Sequence, residues 1–313
     1  MHWSITQQQR RQLLGEEHPD VADSLCACGE VEFIRGYLDD GYRHYNDSLR
    51  IRRKVYPISS AESGFKQNKV VHHKISESLY GCAEVNRIRG DYDVAKGMYE
   101  QAYSMLKSTL GDGHLKMSHI CYGMAENMCV LGQYEMSMAM VETVMSIRTV
   151  VLGDEHVDSA ACLMLIAEVL RVQGKYLEAK KVLEQCMNIR RAKLGKTHCD
   201  TALTLLAVGL NFFDLAKHDA AKPVFERALF LLKISFNEEF HWSIAEAFTG
   251  AAENLKALGN YEKAKSMHES ALMMRRKIFN DHHNKTADSM FYLNMLQIIS
   301  TSKYDDAIHG LND

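Results

Sequence analysis

Five glutamates recur at one position of a repeated pattern: Glu30, Glu84, Glu126, Glu168 and Glu253, each directly after a small residue (Gly29, Ala83, Ala125, Ala167, Ala252). Leu210, after Gly209, is the exception. A row of carboxylates attracts a basic partner, or it pairs internally where a base stands three residues on. Arg87, Arg171 and Lys256 occupy that place after Glu84, Glu168 and Glu253, whereas Phe33 and Cys129 follow Glu30 and Glu126. An acidic ladder and a self-paired face are both open readings. Three residues before the small column stand Tyr80 and Tyr122, which either anchor a partner or pack between helices.

Histidines recur with the same regularity at 18, 114, 156, 198, 241 and 283, and are doubled at 72–73 and 282–283. Stacked helices place neighbouring copies about 10 Å apart, whereas a metal needs its ligands near 2 Å from one centre. The histidines therefore read as turn residues, with no metal and no cofactor expected. No phosphate-binding loop, GxSxG or HExxH occurs, and the carboxylates do not converge by spacing on one point, so no catalytic residue is assigned and the chain does not read as an enzyme.

What must position these residues is a repeat. The stretch "LGDEHVDSAACLMLIAEVLRVQGKYLEA" at 152–179 has counterparts 42 residues to either side. Gly36, Gly90, Gly132, Gly174, Ala216, Gly259 and Ser302 mark successive turns at intervals of 54, 42, 42, 42, 43 and 43, and the excess of 12 in the first matches the polar stretch beginning at Pro57. Small and bulky residues alternate at spacings of three and four on both sides of each turn, the pattern of two amphipathic helices joined by a short turn. Gly or Asn follows each second helix, as a left-handed C-cap requires. Basic pairs in its last turn, such as Arg52-Arg53, Arg190-Arg191 and Arg275-Arg276, complement the helix dipole. Neither helix buries its apolar face alone, so the units must stack.

Within the 313 residues, repeats fall at 15–56, 69–110, 111–152, 153–194, 195–236 and 237–279, with an inserted loop at 57–68 and partial units at 1–14 and 280–313. Trp3, Thr6, Arg10 and Arg11 align with Leu183, Cys186, Arg190 and Arg191, as the tail of a second helix, and "SKYDDAIHGLND" reads as the start of another. Both ends cut through a repeat, so the chain is expected to be a fragment of a longer array or multidomain protein, with natural ends as the alternative.

The pattern GxYxxAxxxYxxAL in "GDYDVAKGMYEQAY" and "GNYEKAKSMHESAL" resembles the tetratricopeptide repeat. The 42-residue period with LGxxH before each first helix is similar to the long-helix subclass found in kinesin light chains. The resemblance implies an all-α fold, a right-handed superhelical solenoid of antiparallel helix pairs forming a single array over 1–313. It also implies that the first helices line a concave face, which places the glutamate ladder, Tyr80, Tyr122, Arg87, Arg171 and Lys256 where a partner segment lies. The groove asparagines of kinesin light chains are missing here. The expected function is a protein interaction scaffold for a protein or peptide segment, a basic one if the ladder is acidic. The alternative is a structural or regulatory segment of a larger ciliary, transport or signalling assembly.

A formal charge of -3 gives no footprint for nucleic acid, and no apolar run approaches the roughly 18 residues of a membrane span. Eight cysteines without CxxC spacing read as unpaired thiols packed as small hydrophobes, Cys26 and Cys28 least clearly, in a cytoplasmic protein.

Overall fold

The computed structural model describes residues 9–56, 65–111, 113–237, 240–279, 281 and 283–309, with the side chains of 65–72, 109 and 300–309 outside that description. Among the described residues every regular element is a helix: α1 (9–14), α2 (Pro19–Arg35), α3 (Leu38–Val55), α4 (Phe65–Arg89), α5 (Tyr92–Leu110), α6 (Leu115–Val130), α7 (Tyr134–Leu152), α8 (Val157–Val172), α9 (Tyr176–Leu194), α10 (Cys199–Asp214), α11 (His218–Ser235), α12 (Trp242–Ala257), α13 (Tyr261–Phe279) and α14 (Asn284–His309). None of these is long and apolar enough to cross a membrane. The sequence reads as one array; the chain divides into two compact units, 1–165 and 166–313. Antiparallel pairs build each: α2 with α3, α4 with α5 and α6 with α7 in the first, α10 with α11 and α12 with α13 in the second.

The six recurring histidines start the first helices. Nδ1 of His18, His114, His156, His198, His241 and His283 accepts the backbone N–H two residues on, at 3.1–3.2 Å, occupying a donor that has no partner inside the helix. Imidazole thus does the work more often given to Ser or Asp. Turns between paired helices use left-handed residues, and at one of them Ala216 holds φ 55, a conformation that costs an L side chain about 1–2 kcal/mol.

Stacking is fixed by a buried arginine staple. Arg190 of α9, 6% exposed, donates to the Asp200 carbonyl (2.9 Å) and Thr204 Oγ1 (3.0 Å) of α10. Arg148 makes the same buried reach to Asp158 O and Cys162, and Arg275 to Lys285 O and Ser289, while Arg10, itself exposed, reaches Asp20 O and Ser24. The partners always lie 10 and 14 residues ahead. Arg52 reaches Lys74 O and Ser78 instead, 22 and 26 ahead, so the 12 extra residues leave the register of stacking unchanged. Where the staple position holds Leu106, the residue 14 ahead is Ile120, and both are buried. Arg52, Arg190 and Arg275 are therefore stacking residues, and only their neighbours Arg53, Arg191 and Arg276 have the exposed helix-end role expected of both.

Two sequence expectations need correction. Part of the inserted stretch, 65–68, lies within α4, while 57–64 are outside the described residues. No turn forms at Ser302: α14 runs unbroken to His309, and Met295 stands where the other first helices carry the Gly or Ala that admits a partner helix. Trp3, Thr6 and His282 lie outside the described residues, as do the side chains of His72 and Tyr304.

Candidate functional site

Each ladder glutamate sits 15 residues before a bulky residue of the paired second helix, and two of those residues bond it. Tyr99 donates its hydroxyl to Glu84, and His268, fully buried, lies 3.0 Å from Glu253 through Nε2. The expected i, i+3 pairs also form. Arg87 holds Glu84 at 2.8 Å, Arg171 holds Glu168 through two bonds of 2.7 and 3.0 Å, and Lys256 holds Glu253. Two links were not foreseen. Arg87 extends to Glu126 of the next repeat at 3.0 Å, and Arg171 to Asp214 at 2.6 Å. The signal for the first was available, since Glu126 lacks its own base and stands 42 residues after Glu84.

The electrostatics follow burial and pairing. Burial raises the Glu126 carboxyl above the usual range, with Glu84 adding to it and Arg87 opposing. Burial also pushes at Glu253, but hydrogen bonds from His268 and Lys256 outweigh it and hold that carboxyl low. Tyr80 and Tyr99 are raised well above an ordinary phenol by burial and by Glu84. Tyr80 packs on Tyr99, with ring centroids 6.1 Å apart, while Tyr122 donates to Ala161 O at 3.2 Å under the Arg148 guanidinium. Tyr122 is thus spent on packing, and Tyr80 keeps a face toward open space.

That space is a cavity of about 610 Å³ in the first unit, lined by α2, α3 and α4, adjoining one of about 300 Å³ that reaches α6. Cys26, Ala27, Phe33, Ile34, Tyr45 and Tyr80 give the larger cavity its apolar wall. Gly81 and Tyr45 line it together, the Tyr45 ring filling the place where a Cβ at Gly81 would stand. Charged lining groups are mostly matched. Asp23 binds Arg52 (2.8 Å) and Lys74, which together hold its carboxyl below the usual range against the effect of burial. Glu77 lies near His73 (3.2 Å) and Lys116 (3.4 Å). Glu30 lines both cavities, is exposed, and has no ion pair or hydrogen bond among the described residues. The ladder is therefore self-paired at Glu84, Glu126, Glu168 and Glu253 and open at Glu30.

One metal-like trio occurs among the described residues: donors of His198, Cys199 and Asp200 lie within 4.8 Å of one another. The repeat explains it. His198 Nδ1 already accepts the Asp200 N–H, the bond made at five other helix starts, and burial raises the Cys199 thiol, away from the thiolate a metal binds.

No curated protein sequence matches the chain. Solved structures match its fold. BtubC (BKLC) from P. vanneervenii shares 16% identity over 79% of this chain and 94% of its own, with TM-score 0.55. The Rap conjugation gene regulator of plasmid pLS20, solved in complex with the Phr* peptide, shares 13% over 94% and 84%, with TM-score 0.64. NprR, solved in complex with its cognate peptide NprX, shares 16% over 88% and 75%, with TM-score 0.62. At such identities the likeness is one of fold. Family models for the tetratricopeptide repeat match residues 159–233 and 245–284. Residues 159–233 and 245–284 are thus tetratricopeptide repeats, and the 42-residue grammar carries the same pattern along the rest of the chain.

Proposed function

We propose that the chain is a non-catalytic protein interaction scaffold that holds a segment of a partner protein against its first helices, with the working site in the groove of the first unit. The observation that carries this is the pair of adjoining cavities, about 610 and 300 Å³, in the stretch of first-helix face where the glutamate ladder is not closed by its own bases. Cavities of this size with an apolar wall and a few polar groups are where ligands bind. That Rap and NprR structures of this fold carry peptides supports the reading. Eight free cysteines, six of them buried, support a cytoplasmic setting.

The test is peptide-display selection against the full chain and an Ala27→Trp variant that fills the larger cavity. Enrichment that disappears in the variant locates binding in the groove; enrichment that ignores it places binding elsewhere. A second reading, a structural segment of a larger assembly, is favoured by Phe291, Met295 and Ile298, which expose an apolar stripe along α14 (60%, 39% and 61%).

A further inference from the structure

The lining of the groove goes further than its existence and specifies what it takes. We propose that the cavity between α2, α3 and α4 selects a segment with a Lys or Arg beside a bulky apolar residue, the apolar side chain entering between Phe33, Tyr45 and Tyr80 and the cation meeting Glu30. This rests on the interaction reading above and adds its chemical class.

The argument is one of matching charges. The cavities are lined by the carboxylates Asp23, Glu30, Glu77 and Glu84 and by the cations Arg52, Lys74 and Lys116, with His73 and His119 held toward the neutral form by burial. Arg52 and Lys74 turn to Asp23, Lys116 to Glu77, and Glu84 takes Tyr99 and Arg87. Glu30 is left over. It is exposed and lines both cavities, the larger together with Cys26, Phe33 and Ile34. An anionic segment would meet this carboxylate with no free cation to receive it. A purely apolar segment would leave it facing a low-dielectric surface. A cation next to an apolar anchor satisfies both halves of the site.

The experiment uses the full chain. Display selection identifies the strongest peptide; its affinity is then read by fluorescence anisotropy against the natural chain, Glu30→Gln, and Glu100→Gln, a matched loss of one exposed charge on α5 away from the groove. The expected result is a Lys or Arg adjacent to an aliphatic or aromatic residue in the selected peptides, a weakening of about two- to fivefold in Glu30→Gln as for an exposed ion pair, and none in Glu100→Gln. The Lys→Ala peptide should bind the natural chain and Glu30→Gln equally. Selected peptides without a basic residue, or affinities that ignore Glu30→Gln, overturn this inference while leaving the scaffold reading in place. No enrichment at all overturns both.

Discussion

The arginine staple predicts a coupling that can be calculated before it is measured. Arg190 places a guanidinium, with its Nε unpartnered, between α9 and α10, where Nη1 serves Asp200 O and Thr204 Oγ1. Bonds to a charged donor are each worth about 1.5–3 kcal/mol net, but Thr204 also donates to Asp200 O at 2.9 Å and keeps that bond when the arginine is gone. Arg190→Leu is therefore expected to cost about 2 kcal/mol, from the two lost charge-assisted bonds less the one Thr204 retains, with the acceptor side of that hydroxyl left against apolar groups. Adding Thr204→Val removes that hydroxyl and recreates the apolar pairing found at Leu106 and Ile120. Replacing a buried charge cluster by apolar residues of similar volume is often neutral, so the double variant should return to within about 1 kcal/mol of the natural chain. The coupling energy is then about 1 kcal/mol or more, stabilising. Urea titration of all four chains measures it, and hydrogen exchange at α9 and α10 amides shows whether the loss is local, as a repeat array requires. Strict additivity, or a single variant as stable as the natural chain, would refute the claim that the arginine orients stacking through these two acceptors.

Three further outcomes follow from the same geometry. Ala216→Gly relieves a left-handed alanine and should raise the urea midpoint by the equivalent of about 1 kcal/mol; an unchanged or lowered midpoint contradicts it. Gly81→Ala forces a methyl into the Tyr45 ring and should lose about 1–3 kcal/mol, whereas Gly97→Ala in α5, where a Cβ meets nothing within 4 Å, should gain about 0.5–1 kcal/mol; equal effects at the two glycines in thermal melts would refute the packing argument. Glu253→Gln tests the ladder electrostatics. The folded carboxyl titrates below its ordinary value of 4.5, so its stabilisation is present above that value and lost as pH falls through the lower, folded one. The variant should be less stable at pH 7, with the gap closing below about pH 4; a gap constant from pH 7 to 3 contradicts the assignment.

Much of this architecture was readable from spacing, because a repeat supplies its own alignment. The hairpins and the positive-φ stops at Gly111, Gly153, Gly195 and Asn237 came from period and residue type. What spacing did not give was direction. The ladder glutamates share a register, yet Glu84 turns inward to Tyr99 while Glu30 faces solvent, a difference set by their neighbours: the base at Arg87 has no counterpart at Phe33. The staple was not read although the sequence carried it, since Ser24, Cys162, Thr204 and Ser289 each stand 14 residues after an arginine, Ser78 stands 26 after one across the insertion, and Ile120 stands 14 after a leucine. The unbroken α14 was beyond reach for a different reason. Ser302 occupies a turn position by period, but neither it nor its neighbours oblige a helix to stop there.

The aromatic and glycine contacts carry a consequence for how such a chain can change. Tyr45 fits against Gly81, Tyr99 against Gly123 and Phe225 against Gly250, while His268 stacks on Tyr292, and Leu293 holds the place where the period would put a glycine. At the first three of these junctions a large side chain is matched by a glycine in the next unit, and Tyr45 and Phe225 also lie against Gly29 and Gly209 of their own. Units that look interchangeable in sequence are therefore keyed to their successors: exchanging the second for the fourth would set Tyr99 against Ala207 and leave Gly123 facing Leu183. Tyr45, Tyr99 and Phe225 each call for a glycine in the unit that follows, so an exchange that puts a larger residue there meets a steric cost at that junction.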